Sequence, residues 1–146
     1  MNTFDRDLAD AKPFEREACT RIEKLNNVKC IATQDGKNKN IMKHDFTTSD
    51  NIKYEVKHDI ASTKWGNAFI EFKNKYNVLT GISITTADYY IIISDYNDNQ
   101  DIFYLVEVAF LKSANVCNKR IGRTPNGSCG YLVPISELKE NSVILL

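Results

Sequence analysis

Three residues that could do chemistry, Asp45, Glu55 and Lys57, are spaced so that a β-hairpin would bring them together. Thr48-Ser49-Asp50-Asn51 is typical of a turn, and centring it on Asp50 sets residues whose numbers sum to 100 opposite one another. Asp45 then faces Glu55, and Lys57 shares their side because strand residues alternate between faces. Two carboxylates in cross-strand register repel each other, so the pattern predicts a cation between them.

A divalent cation with oxygen ligands, Mg²⁺ or its substitute Mn²⁺, would meet this need. The backbone carbonyl of Val56 is a candidate third ligand, and Glu71, on the next predicted strand, is either an accessory ligand or an exposed glutamate. Lys57 would lower the pKa of a nearby water, position that water, or stabilise charge on a phosphate. The alternative is an ordinary polar hairpin face, since Glu-x-Lys is a short pattern that occurs by chance.

The surrounding segments predict a single α/β domain over residues 1–146, with a mixed central β-sheet flanked by helices. Residues 5–26 predict a helix, either continuous through Pro13 or split there. Its apolar stripe consists of Phe14, Ala18, Ile22 and Leu25. Residues 89–94 form a continuous apolar run, which is typical of a central strand covered on both faces.

Composition favours a soluble globular protein, because 42% of the residues are hydrophobic and 26% are charged, against extended disorder. A net charge of zero argues against a nucleic-acid packaging protein, but not against a nuclease whose acidic site offsets a basic groove. The charged N-terminus and the lack of a long apolar run predict a cytoplasmic protein with no membrane partner. Reduced thiols are expected because no two cysteines form a C-x-x-C pair; they are Cys19, Cys30, Cys117 and Cys129.

The hairpin resembles the PD-(D/E)XK signature of restriction-endonuclease-like nucleases, with Asp45 followed after nine residues by Glu55-Val56-Lys57. Its spacing is similar to that of phage-type endonuclease I junction resolvases, and His44 replaces the usual proline. Further similarities to small phage-encoded members of this superfamily extend the resemblance over about residues 14–94.

Upstream, Phe14-Glu15-Arg16-Glu17-Ala18 is similar to the helix of archaeal Holliday-junction resolvases in which the first glutamate joins the metal site. The resemblance assigns that catalytic role to Glu15, with Glu17 as the fallback. The alternative for each is a solvated helix glutamate.

The resemblance implies a restriction-endonuclease-like fold and Mg²⁺-dependent hydrolysis of DNA that leaves a 5′-phosphate. It favours a structure-selective, resolvase-like enzyme of phage recombination or repair, acting on branched DNA as a homodimer, with residues 104–110 or the N-terminal helix at the interface. Three alternatives stay open: a sequence-preferring restriction or repair endonuclease, a catalytically silent DNA- or protein-binding module, and an unrelated α/β protein.

Basic and polar loop residues are candidates for contact with the nucleic acid. Lys64 and Asn67 follow the hairpin closely, and Lys119, Arg120 and Arg123 form a basic stretch near the C-terminus. Short basic loops are usually only solvated, so solvation is the alternative for each.

Overall fold

The computed structural model describes residues 13–31, 45–60 and 62–145, and His44 lies outside them. Its helices are α1 (Pro13–Asn26), α2 (Ser62–Trp65), α3 (Val108–Leu111), α4 (Ala114–Cys117) and α5 (Ile135–Glu140). Its strands are β1 (Cys30–Ile31), β2 (Phe46–Thr48), β3 (Lys53–His58), β4 (Asn67–Lys73), β5 (Tyr89–Ser94), β6 (Ile102–Glu107), β7 (Ile121–Arg123), β8 (Cys129–Pro134) and β9 (Ile144–Leu145). The predicted mixed α/β class is confirmed. None of the described helices is both long and apolar enough to cross a membrane.

The described strands form a six-stranded mixed sheet, ordered β1-β2-β3-β5-β6-β9, and a three-stranded antiparallel sheet, ordered β4-β8-β7. Strands β3 and β5 are parallel, and the other neighbours in the large sheet are antiparallel. Parallel neighbours need a crossover connection, so the chain leaves the large sheet after β3 and forms α2 and β4 before it returns as β5. This crossover supplies β4, and the later strands β7 and β8 join it to form the second sheet, which the sequence did not predict.

Strand β5 lies inside the large sheet and is buried on both faces, as its continuous apolar run predicts. Tyr90 and Ile92 belong to a core between the two sheets, which we call the inter-sheet core. Ile91 and Ile93 belong to a second core beneath α1, which we call the helix core. The alternation of β5 therefore divides the interior in two, and the predicted site residues Glu55 and Lys57 pair with the two β5 residues of the inter-sheet core.

Helix α1 covers the helix core, although its buried face differs slightly from the predicted stripe. Ala18 and Ile22 are buried as predicted, but Leu25 is 44% exposed and Cys19 is buried instead. The helix is therefore rotated about its axis so that its buried face centres between Ala18 and Cys19.

Cys19 and Cys30 are joined by a disulfide, which corrects the expectation of four reduced thiols; Cys117 and Cys129 are free. The chain reverses after α1 at Asn27, which has a φ of 53°. The pairing of β1 with β2 then brings the two Cα atoms to 6.4 Å, within the range that a disulfide can span. The bond fastens α1 to the edge of the large sheet.

Part of one segment predicted as a dimer interface, residues 104–110, is buried within this chain. Tyr104, Leu105 and Val106 lie on β6 between β5 and β9, and each is at most 5% exposed. Their side chains pack into the two cores of this chain, so they are not available to a second copy.

Candidate metal centre and adjoining groove

The hairpin has the predicted register. Phe46 pairs with Tyr54 and Thr47 with Lys53, so paired numbers sum to 100. The Asp45 N–H donates to the Tyr54 carbonyl at 2.8 Å, and because 45 and 54 sum to 99, this bond departs by one residue from the register of the pairs nearer the turn. The regular pairing ends at Phe46 and Tyr54, and the placement of Asp45 opposite Glu55 stays a prediction.

Glu55 and Lys57 lie on the side of the large sheet that faces the inter-sheet core. In the parallel pairing with β5, Glu55 is opposite Tyr90 and Lys57 is opposite Ile92, and both partners belong to that core. Residues between them, such as Val56, pack into the helix core as predicted. The strand thus presents Glu55 and Lys57 on one face, while Tyr54 and Val56 on its other face pack into the helix core.

Direct contacts hold Lys57 to Glu55 and hold Asp45 to the backbone between those two residues. The Lys57 Nζ lies 3.2 Å from the Glu55 Oε1, and the Asp45 Oδ2 accepts a hydrogen bond of 2.7 Å from the Val56 N–H. The Glu55 side chain is 16% exposed and the Lys57 side chain is 48% exposed. Glu55 is therefore held near the interior, while the lysine amine reaches solvent. The Val56 carbonyl stays a prediction as a metal ligand.

Burial raises the pKa of Glu55 from 4.5 to about 7, and the charge of Asp45 adds to the effect. The Lys57 ammonium opposes this increase, and Glu15 makes a smaller contribution that raises the pKa further. Glu15 is therefore close enough to the hairpin to act on Glu55 electrostatically, as its predicted role requires. Glu17 instead forms an exposed ion pair of 2.9 Å with Arg21, so the structure does not bring the fallback residue to the site.

The raised pKa of Glu55 predicts a pH-dependent stability for the metal-free protein. The folded state holds the proton of Glu55 more tightly than the unfolded state does, so protonation of Glu55 stabilises the fold. This stabilisation is fully present below about pH 4.5 and is lost as the pH rises to about 7. We expect the free energy of unfolding to fall on the order of 3 kcal/mol more in the wild type than in Glu55→Gln across this window. Urea unfolding in EDTA at several pH values measures the difference, and superimposable pH profiles of the two proteins would contradict it.

Tyr90 and Glu71 also reach this region, and the sequence pattern did not single out Tyr90. Burial raises the pKa of the Tyr90 hydroxyl, and the charges of Glu55, Asp45 and Glu71 raise it further. Glu71 on β4 therefore acts on the same tyrosine as the hairpin carboxylates. The sequence showed only that Tyr90 belongs to a predicted buried strand. It did not show the parallel pairing that places Tyr90 beside Glu55.

Gly81 helps to position the strand that carries Glu71. A Cβ at Gly81, which has a φ of 51°, would lie 2.3 Å from the Glu71 carbonyl oxygen, so a larger residue would force the backbone apart. A β-bulge between Glu71 and Lys73 changes the strand register just beyond this point.

The acidic residues suit a cation that keeps several bound waters better than a cation whose ligands all come from the protein. Within the described ranges, the three ligand atoms that lie within 4.8 Å of one another belong to Cys19, Glu23 and Cys30, and no such triplet occurs among the hairpin carboxylates. The two sulfurs are bonded to each other and Mg²⁺ prefers oxygen, so the cysteine group does not suit it. Asp45 and Glu55 offer the one or two carboxylates that Mg²⁺ usually takes while it keeps several waters.

A groove of about 680 Å³ opens beside Lys57. Residues from five segments of the chain line it, among them Trp65, Asn67, Arg120 and Arg123. Strand β7 brings the two arginines to the groove because it pairs with β8, which in turn pairs with β4. Three of the predicted nucleic-acid contacts, Asn67, Arg120 and Arg123, are thus gathered at one place next to the predicted catalytic lysine.

Two other predicted nucleic-acid contacts are arranged differently. Lys119 forms an ion pair of 2.6 Å with Glu137, so its charge is already compensated. The Lys64 amine lies 5.0 Å from the centre of the Trp65 ring, and Lys64 is not among the residues that line the groove. Asp59 lines the groove as well, but its carboxylate accepts hydrogen bonds from the backbone N–H groups of Ser62 and Phe69.

No known protein family, curated protein or solved structure matches this chain. The resemblance of the hairpin to nuclease signatures therefore stays a prediction, and the geometry of the site has to support any function by itself.

Proposed function

We propose that this protein is a metal-dependent DNA endonuclease with a restriction-endonuclease-like fold. The observation that carries the proposal is the position of Lys57, which contacts Glu55 at 3.2 Å and also lines the groove that holds Arg120 and Arg123. One residue thus joins an acidic cluster suited to a cation with a basic groove suited to a phosphate backbone. An accidental Glu-x-Lys pattern would give no reason for these two features to adjoin.

Asp45 and Glu55 are the proposed ligands of Mg²⁺, or of Mn²⁺ in its place. A bound cation would neutralise their repulsion, polarise the scissile phosphate and acidify water at the site. The Val56 N–H fixes the orientation of the Asp45 carboxylate, so that this ligand is held in place before any cation arrives. Glu15 and Glu71 are the proposed accessory acids, because their charges act on Glu55 and on Tyr90 respectively.

Arg120 and Arg123 are proposed to hold the phosphates that flank the scissile bond. Among the described residues neither arginine forms an ion pair, so both charges are available to phosphates. Lys57 lines the same groove, so it is proposed to stabilise negative charge on the reacting phosphate. A water oxygen forms the new bond to phosphorus, the bond to the 3′ oxygen breaks, and the products carry a 5′-phosphate and a 3′-hydroxyl.

Within this function we favour branched DNA as the substrate and a homodimer as the active form. A groove of about 680 Å³ is the size of a pocket for a small ligand, which leaves little contact surface for reading a long duplex sequence. Two symmetric cuts in a four-way junction need two sites, and a dimer supplies them.

The test is cleavage of an end-labelled four-way junction in Mg²⁺ and in Mn²⁺, beside a linear duplex and a single strand. We expect paired, symmetric nicks in the junction that disappear in EDTA and leave 5′-phosphates. Cutting of the linear duplex as well would retain the nuclease and remove the preference for branched DNA. DNA binding without metal-dependent cutting of any substrate would refute the nuclease and favour a silent binding module.

A further inference from the structure

The groove carries an aromatic side chain that the proposed hydrolysis does not use. Trp65 is the only tryptophan of the chain, it lines the groove, and it is 70% exposed. A large apolar ring that is left this exposed loses the free energy that its burial would provide. The Lys64 amine lies 5.0 Å from the ring centre, so a positive charge adjoins the ring.

The backbone around Trp65 is constrained. Trp65 ends α2, and Gly66 follows with a φ of 74°. A Cβ at Gly66 would lie 2.7 Å from the Tyr96 ring, so only glycine fits this turn without displacing that ring. The Gly66 N–H donates to the Ser62 carbonyl, and the Gly66 carbonyl accepts from the Ile135 N–H. Trp65 therefore projects from a fixed turn.

The rest of the groove combines apolar surface with positive charge. Its apolar side chains are Ile60, Phe69, Ile70, Ile92, Pro125 and Leu132. Its charged groups include Lys57, Arg120 and Arg123, while the Asp59 carboxylate is bonded to backbone N–H groups. Aromatic and apolar surface beside cations is the combination that binds unstacked bases through their faces and phosphates through their charge.

We propose that this groove binds an unpaired nucleotide next to the scissile phosphate, with its base stacked on Trp65 and its phosphates held by Arg120 and Arg123. The choice of DNA as the ligand rests on the proposed nuclease function. A volume of about 680 Å³ falls within the roughly 300–1,000 Å³ of pockets that enclose one small ligand, so the groove suits a single displaced nucleotide rather than a base pair in a duplex. Unpaired bases next to a branch point or a strand end would supply such a nucleotide.

Because the chain has one tryptophan, its fluorescence reports on this groove alone. We expect a thymidine oligonucleotide of about ten residues to quench this fluorescence saturably in EDTA, and to bind more weakly as salt is added. An abasic oligonucleotide of the same length and a blunt duplex should leave the fluorescence nearly unchanged. Absence of quenching by the thymidine strand, or equal quenching by the abasic strand, would overturn the proposal.

Anisotropy of a labelled thymidine strand then tests the residues without relying on the tryptophan signal. We expect Trp65→Ala to weaken binding about tenfold and Trp65→Phe to retain most of the affinity, since a second aromatic ring can still stack. Replacing Arg120 and Arg123 together with alanine should weaken binding and reduce its salt dependence, whereas Lys139→Ala, on the exposed side of α5, should change neither. Equal affinities of the wild type and Trp65→Ala would overturn the stacking role.

Both binding assays are run in EDTA, so they separate this inference from the proposed nuclease function. Junction cleavage without quenching would leave the nuclease standing and refute the nucleotide site. Quenching that depends on the base, without cleavage of any substrate, would support the nucleotide site and refute the nuclease.

Discussion

Replacing Lys57 with alanine should lower the rate of metal-dependent DNA cleavage about 10²–10³-fold, the usual effect of removing one group that stabilises charge in a transition state. The protein should remain folded, because the lysine side chain is 48% exposed and its one described ion pair is with Glu55. Metal-induced stabilisation against heat should persist in this variant, since the proposed ligands remain. Single-turnover cleavage and a thermal shift with Mn²⁺ measure the two properties on the same preparation.

Two other variants sharpen the test of Lys57. Lys57→Arg keeps a positive charge beside Glu55 and should recover part of the lost rate. Lys139→Ala removes an exposed lysine from α5 and should cleave like the wild type. If Lys57→Ala cleaves DNA at the wild-type rate, the lysine has no part in the reaction, and the central assignment of the site is wrong.

Replacing Asp45 with asparagine, or Glu55 with glutamine, should abolish cleavage and metal-induced stabilisation together. We expect the cleavage rate and the affinity for Mn²⁺ each to fall more than about 100-fold. Removing a group that only supports a metal ligand costs roughly 10–100-fold, so the larger loss indicates a direct ligand. Each substitution preserves the size of the side chain, and the amide oxygen that Asp45→Asn introduces can still accept the hydrogen bond from the Val56 N–H. The thermal shift with Mn²⁺ shows whether the metal still binds, and the cleavage assay shows whether the reaction still occurs. Together they distinguish these variants from Lys57→Ala, which should lose cleavage alone.

Asp88→Asn is the matched control for this pair. The Asp88 carboxylate also accepts a hydrogen bond from a backbone N–H of β3, that of Lys53 at 2.9 Å, but it is no part of the acidic cluster. This variant should keep both cleavage and metal-induced stabilisation. Retention of the Mn²⁺ shift in both Asp45→Asn and Glu55→Gln would show that the cation binds elsewhere.

The hairpin could be predicted from the sequence because its determinants are local. A polar turn, Thr48–Asn51, and the alternation of strand residues fix which side chains share a face. The register of the residues next to the turn follows from its position, and the structure confirms it for Phe46 with Tyr54 and for Thr47 with Lys53. The continuous apolar run at residues 89–94 likewise predicts an interior strand by itself, because no face of the run is polar enough to meet water.

Predictions that depended on surface exposure were less reliable. Leu25 has the spacing of a core residue and yet is 44% exposed. Residues 104–106, part of one of the two segments predicted at a dimer interface, fill the cores. In both cases the local pattern indicates an apolar residue without showing which neighbour will cover it. The disulfide between Cys19 and Cys30 was missed for a related reason, since it depends on how α1 packs against an edge strand.

The sequence by itself determined the chemistry that is available: two carboxylates and a lysine on one face of a hairpin, because side-chain direction in a strand depends only on residue spacing. Only the tertiary structure decided which residues of other segments lie next to that face. The parallel pairing of β3 with β5 set Tyr90 beside Glu55, and the second sheet carried Arg120 and Arg123 to the groove at Lys57, across about sixty residues of chain. The same packing left Lys119, next to Arg120 in sequence, in an ion pair with Glu137. Contacts between distant segments depend on strand order and on the packing of whole sheets, and neither is encoded in the spacing of neighbouring residues.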